Sequence, residues 1–307
     1  MKKLKFLAAT TALVSVASVA TAGCEEVRMA EPGWTDLALT SGIAQILLEA
    51  LGYDANVDQL SIPIIYEAMR SSDMDAFLGY WDPAMVQYYK SYKEDGSVVT
   101  VAQNLEGAKF TWAVPSYVYD AGVHDFADLA KYEKEFDAKL YGLSPGSNEI
   151  MISARDSDAF GLQDWEVVES SEQGMLAQVE RFVKKEDWIA FLAWAPHPMN
   201  SKIDLKYLTG GDDFYGPNFG GATVHTQMRK DYMAECPNVG KFLSQLEFTI
   251  EMENVGMGYI LEDGMSATEA ALKVIKADPA MIAPWLDGVS ALDGAPALER
   301  AEAGLGL

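Results

Sequence analysis

The sequence predicts an α/β protein whose lobes are built on mainly parallel sheets, and three observations support this. Strand-like and helix-like runs alternate along the whole chain, the pattern that strand–helix–strand units leave. The 307 residues suffice for about two domains of ordinary size. The content, 49% hydrophobic and 22% charged, is that of a globular chain with material for real cores.

Taken in order, EEVRMA is followed by TDLALTSGIAQILLEALGY, a helix with Thr35 or Asp36 as its cap. Ile43, Ile46, Leu47, Ala50 and Leu51 form its apolar face, and Gly52 ends it. ANVDQLSI reads as a strand, and PIIYEAMRSS as a helix with proline in its first turn. DAFLGYW is a short buried strand, after which Asp82-Pro83 opens the helix PAMVQYYKSYK. AKFTWAV reads as a strand, DFADLAKYEKEF as helix and KLYGL as a strand. WEVVES leads through Ser170-Ser171-Glu172-Gln173, a capping-box pattern, into the helix GMLAQVERFVKK. WIAFLAW is the next buried strand, and the tail from Asn238 is mostly helical.

Residues 1–22 carry Lys2, Lys3 and Lys5, then an alanine-rich apolar stretch ending in Ala20-Thr21-Ala22. This is the form of a secretory signal peptide cleaved after Ala22. Ala-Gly-Cys offers a second reading, a lipid anchor on Cys24, although Thr21 stands where such sites usually have a Leu-like residue. No later segment approaches ~18 uninterrupted apolar residues. Cys24 and Cys236 are the only cysteines; an even count in an exported chain suggests a disulfide, with two free thiols as the alternative. Removing Lys2, Lys3 and Lys5 takes the net charge from −23 to −26. So acidic a chain repels nucleic acid and anionic membrane, and draws cations into its clefts.

Three tryptophans share one context, each where an apolar run gives way to a turn or helix: Trp34 in VRMAEPGWTD, Trp81 in DAFLGYWDP and Trp194 in IAFLAWAPHP. Phe110 lies in the similar run GAKFTWAV. In α/β sheets ligands are held at the carboxyl ends of strands. Flat rings gathered there suit a quaternary ammonium group, a cation that offers no hydrogen bond. Trp112, Trp165, Trp188 and Trp285 lack the shared context and read as packing residues. Asp36, at a helix start, reads as an N-cap, a role that does not exclude accepting a ligand hydroxyl. A carboxylate there also cancels the helix field that disfavours a cation, and repels a ligand carboxylate.

Gly142-Leu143-Ser144-Pro145-Gly146 matches the G-x-S-x-G nucleophile elbow. In that chemistry the residue after the serine donates its N–H to the oxyanion, and Pro145 has none. The loop, continuing Ser147-Asn148-Glu149, can instead offer polar groups to a ligand. His124, His197 and His225 lack metal-ligand spacing, and no phosphate-cradling glycine motif or dinucleotide fingerprint is present. Neither a metal nor a cofactor is expected.

PGWTD, FLGYWDP, GAKFTWAV, VVESSEQGMLAQV, AFLAWAPHPMN, GGDDFYGPNFGGATVHT and ECPNVGK together resemble the periplasmic choline-binding proteins of ABC importers, within the wider glycine-betaine-type substrate-binding proteins. The resemblance runs from about Cys24 to the C-terminus. It implies a two-lobed periplasmic-binding-protein fold with the ligand in the cleft between lobes. Lobe I would comprise 23–111 and 213–307, with lobe II, 112–212, inserted in it. It implies a cage of Trp34, Trp81 and Trp194 with Phe110 in the fourth aromatic place. Asp36 would meet the ammonium or hydroxyl end, and Asn148 would reach in from the second lobe. It also implies a Cys24–Cys236 disulfide. The expected partner is an ABC importer permease, with the membrane met only through it and the chain acting as a monomer. Choline is the expected ligand, with glycine betaine, carnitine or trimethylamine N-oxide as the alternatives. The chain departs from the family in two places. Phe110 stands where the compared choline binders have tyrosine, and the loop 145–149 is about two residues shorter.

Overall fold

A computed structural model describes residues 24–307; the expected signal peptide lies outside them. Nine strands are described: β1 (Glu26–Glu31), β2 (Asp54–Gln59), β3 (Ala76–Asp82), β4 (Val98–Pro115), β5 (Lys139–Tyr141), β6 (Glu166–Val168), β7 (Phe191–Ala195), β8 (Leu205–Tyr207) and β9 (Gly221–Arg229). They pair in the order β2-β1-β3-β9-β4-β7-β5-β6, with β8 on β4. Each end of this path is parallel: β1 with β2 and β3, β5 with β6 and β7. The middle is antiparallel, because β9 lies between β3 and β4, and β4 also pairs β7 and β8. The expectation of mainly parallel sheets is therefore right for the strand–helix units at both ends and wrong for the strands that join them.

The 18-residue β4 makes the join. Val98 to Lys109 pair with β9, and Lys109 to Ala113 with β7, so one strand serves both halves. The chain comes back through Gly216–Gly221. There Gly220 has a φ of +68°, and a Cβ on it would lie 2.0 Å from the Phe110 carbonyl oxygen; only glycine passes so close to that strand.

The first helix, α1 (Thr35–Ala50), is buried on most of its surface, between the sheet and the helices Ile250–Leu261 and Ala267–Ala277. Its approach is close. A Cβ on Gly79 of β3 would lie 2.0 Å from Leu37, and one on Gly256 would lie 2.3 Å from Leu39. Gly52, at a φ of +95°, follows its last turn as expected. Neither proposed cap serves it: Trp34 is the N-cap, and no side chain there accepts a hydrogen bond. The next helices are α2 (Ile62–Ser71) and α3 (Val86–Glu94). α3 begins three residues after Pro83, later than the sequence suggests.

The helix Glu172–Val183 is capped by Ser171, whose hydroxyl accepts from the Gly174 N–H. In the second half of the sheet Trp112 is fully buried and stacked on Phe126 at 4.1 Å, a packing residue as read. Cys24 and Cys236 form a disulfide that closes a span of 212 residues. That bond uses the sulfur a lipid anchor would need. None of the described helices is long and apolar enough to cross a membrane.

Candidate functional site

Each site residue is placed by a local feature of its sequence. Trp34 follows β1 through the turn Glu31-Pro32-Gly33. Gly33 takes a φ of +83°, and the Glu31 carboxylate accepts its N–H. Trp81 and Trp194 end the buried strands β3 and β7, each directly before a cis X-Pro bond, Asp82-Pro83 and Ala195-Pro196. Phe110 is the register partner of Trp194 across β4 and β7. Cross-strand partners share a sheet face, so these two rings stand side by side. The Trp81 and Phe110 centroids are 6.1 Å apart at 54°.

Trp34, Trp81, Phe110 and Trp194 line a single cavity together with Asp36. Their exposures are 8%, 3%, 8% and 3%, and that of Asp36 is 2%. Residues from all over the chain are thus brought to one place and shut from water. Ile62, Ala84, Met85 and Tyr88 complete the wall from α2 and the segment through α3; Leu143, Gly146, Ser147 and Glu149 come from the loop after β5. Both titratable carboxylates in the lining, Asp36 and Glu149, are acids, and the lining holds no lysine or arginine.

Asp36 sits in the first turn of α1 with its Oδ1 buried and without a protein partner; the indole N–H groups of Trp34 and Trp81 are also unpartnered. Buried polar atoms are normally paired, and Asp36 Oδ1 is the one carboxylate oxygen among the unpartnered buried atoms of the described residues. Desolvation foremost, then the charge of Glu172, pushes the Asp36 carboxyl up to about 8; backbone N–H groups of Leu37 and Asp36 oppose this in part. Burial also raises the Glu149 carboxyl from its usual value. Both groups would gain from a cation in the cavity.

Asn148 is placed differently from what the resemblance implies. It is buried, but outside the cavity lining, and its amide is spent on its own loop. Oδ1 accepts the Leu143 N–H at 2.7 Å, while Nδ2 donates to the Leu143 carbonyl at 2.8 Å and to Glu169 at 2.9 Å. These bonds staple the loop to itself, and the neighbours Ser147 and Glu149 line the cavity instead. Tyr88, Met85 and Glu149 were not singled out from the sequence. Glu149 was visible only as part of a polar loop, and Tyr88 only as one of several tyrosines in QYYKSY.

The elbow-like loop gains no catalytic partner among the histidines. His197 contacts Glu172, His225 contacts Thr223, and His124 packs on Tyr119.

Comparison with known proteins gives the family of the chain. The family model described as the substrate binding domain of ABC-type glycine betaine transport systems matches residues 25–277. The chain belongs to that family. A solved choline-binding protein of an ABC transporter, in complex with choline, is 48% identical, with 92% of this chain and 98% of that one covered and a TM-score of 0.90. The unliganded semi-closed form, also 48% identical, covers 92% of this chain and 99% of that one and scores 0.84. The closer match is thus to the liganded form, in keeping with the buried rings here. A glycine betaine/carnitine transport binding protein of Listeria monocytogenes is 29% identical over 175 residues, 54% of this chain and 57% of that protein.

As a member of this family the chain is a two-lobed substrate-binding protein of an ABC transport system, and the family's task is capture, not chemistry.

Proposed function

We infer that this chain binds choline in the aromatic cavity and carries it, in the periplasm, to an importer permease. The observation that carries the reading is a cavity walled by four aromatic rings and two acids, with no basic side chain. A desolvated cation–π contact contributes about 2 kcal/mol, so three or four rings supply roughly 6–8. Micromolar binding needs about 8 kcal/mol. Ring faces therefore account for most of the affinity, and no ion pair has to be assumed. Asp36 accepts the ligand hydroxyl at its free Oδ1. The 48% identical relative solved with choline supports the same reading.

Glycine betaine, carnitine and trimethylamine N-oxide remain the alternatives, and the family description keeps the first in view. A betaine brings a carboxylate toward Asp36 and Glu149 with no arginine or lysine in the lining to receive it. That disfavours it. Residues 23–111 with 213–307 form lobe I and 112–212 lobe II; the change of partner along β4 at Lys109 supports this division. The chain makes and breaks no bond.

Titration calorimetry of the purified mature protein with these four compounds tests the proposal. Choline is expected to bind most tightly. Tighter binding of a carboxylate-bearing betaine refutes the choline assignment, and no binding by any of the four refutes the cage.

A further inference from the structure

Glu172 does not line the cavity, yet it is fully buried directly behind it. Its Oε2 accepts the Thr35 N–H at 2.9 Å, and its Oε1 accepts the Thr35 hydroxyl. His197 Nε2 lies 3.2 Å from the same Oε1. The Met199 N–H donates to His197 Nδ1 at 2.9 Å, which leaves the ring proton on Nε2 and makes it the donor to Glu172. One carboxylate therefore takes three hydrogen bonds.

The positions of its donors give this its meaning. Thr35 lies between Trp34 and Asp36, in the first turn of α1, where no local side chain caps the helix. Glu172 and His197 come from the other end of the sheet, after β6 and β7. His197 also meets Trp194 edge-on, at 4.9 Å and 69°. A single buried group thus ties the segment carrying Trp34 and Asp36 to the segment carrying Trp194, across the cleft.

We propose that Glu172 is the latch of the closed state: a positioning residue of lobe II that caps α1 of lobe I and sets the cage rings only when the lobes meet. The idea rests on the choline-capture reading above and adds how closure is made specific. A carboxylate is favourable against the positive end of a helix, and charge-assisted hydrogen bonds are the strong ones. The same burial is costly when donors are out of place, since an unpaired buried charge is heavily penalised. Partial closure, with Thr35 and His197 misaligned, is therefore disfavoured. The cleft is either open, with Glu172 in water, or closed with the rings in register. Glu172 also repels the ionised form of Asp36, so a cation in the cage relieves the strain that closure otherwise puts on that pair.

The test compares wild type with Glu172→Ala, Thr35→Val and the double variant by stopped-flow tryptophan fluorescence with choline. Glu172→Ala should release choline at least ten-fold faster with little change in association. Thr35→Val should release it several-fold faster, and the double variant no faster than Glu172→Ala, because both remove one interaction. Hydrogen exchange of the peptide spanning Trp34–Asp36 should show Thr35 amide protection that is lost in Glu172→Ala. Purely structural damage would instead lower stability without this coupling and without the split between rates. If Glu172→Ala does not fold, Glu172→Gln, which keeps the volume and loses one acceptor, takes its place with the same expectations. Release within two-fold of wild type, or additive effects in the double variant, overturns the latch while leaving choline binding intact. Should wild type bind no choline, the functional reading fails on its own. The exchange measurement then decides the latch: unchanged Thr35 protection in the variant rejects it.

Discussion

Replacing Trp81 with alanine removes one wall of the cavity and nothing else that touches ligand. The indole is 3% exposed, lies 6.1 Å from Phe110, and ends a strand whose backbone pairing with β9 stays in place. The lost interaction is one desolvated cation–π contact, about 2 kcal/mol. At 1.4 kcal/mol per decade this weakens choline binding about 30-fold. Trp81→Phe keeps a ring and should lose no more than about five-fold, since phenylalanine is a weaker π-donor than tryptophan but still presents a face. Truncating a buried aromatic also costs about 3–5 kcal/mol of stability, so titration calorimetry must be run well below the unfolding temperature of the variant. Binding by Trp81→Ala within two-fold of wild type, or Trp81→Phe as weak as Trp81→Ala, would refute the argument that ring faces hold the ligand.

Further consequences concern the acids, the loop and the disulfide. With its carboxyl pushed up to about 8, Asp36 in the ligand-free protein keeps a proton that the unfolded chain has lost, so stability falls as pH rises from about 4 to 8. Asp36→Asn should therefore raise the ligand-free Tm more at pH 8 than at pH 5; equal gains at both values would contradict the shift. Asn148→Ala should lower Tm, because it leaves the Leu143 N–H without its acceptor at a cost of about 1–3 kcal/mol, and should weaken all quaternary ammonium ligands alike. A change in choline selectivity alone would instead point to direct contact. Glu149→Gln should narrow the preference for choline over glycine betaine in parallel titrations, and an unchanged ratio would remove Glu149 from the selectivity argument. Reducing Cys24–Cys236 should cost about 2–5 kcal/mol of stability in denaturant melts, with choline affinity little changed.

The shared cavity was legible because Trp34, Trp81 and Trp194 each stop an apolar run at a turn, a pattern local to a few residues. Phe110 was legible through the likeness of its strand to the others. What failed depends on distant partners. Thr35 looks like a helix cap in isolation, but its N–H and hydroxyl are taken by a carboxylate 137 positions away. The first half of β4, VVTVAQNLEG, is rich in polar residues and has bulged pairing, so it carries no clean alternation. The Nδ2 of its buried Asn104 donates to the Leu78 carbonyl and the Thr226 hydroxyl, partners on neighbouring strands that the sequence does not reveal. The strand GATVHTQMR was overlooked for a similar reason: its polar Thr226 and Gln227 are fully buried among hydrogen-bond partners that sequence alone does not reveal. Asn148 shows the same limit within one loop, where its amide is taken up by Leu143 and Glu169, partners that sequence alone does not reveal.

The reading as a whole depends on positive charge being recognised by aromatic faces, and one pair of ligands isolates that. Choline and 3,3-dimethylbutan-1-ol have the same shape and hydroxyl, but carbon replaces the ammonium nitrogen in the second. Calorimetry at pH 7 should show choline bound at least about 100-fold more tightly, a difference of about 2.8 kcal/mol that is under half of the roughly 6–8 three or four desolvated rings supply. Comparable affinities for the two would mean that the cavity reads only size and apolarity, and the account would be wrong.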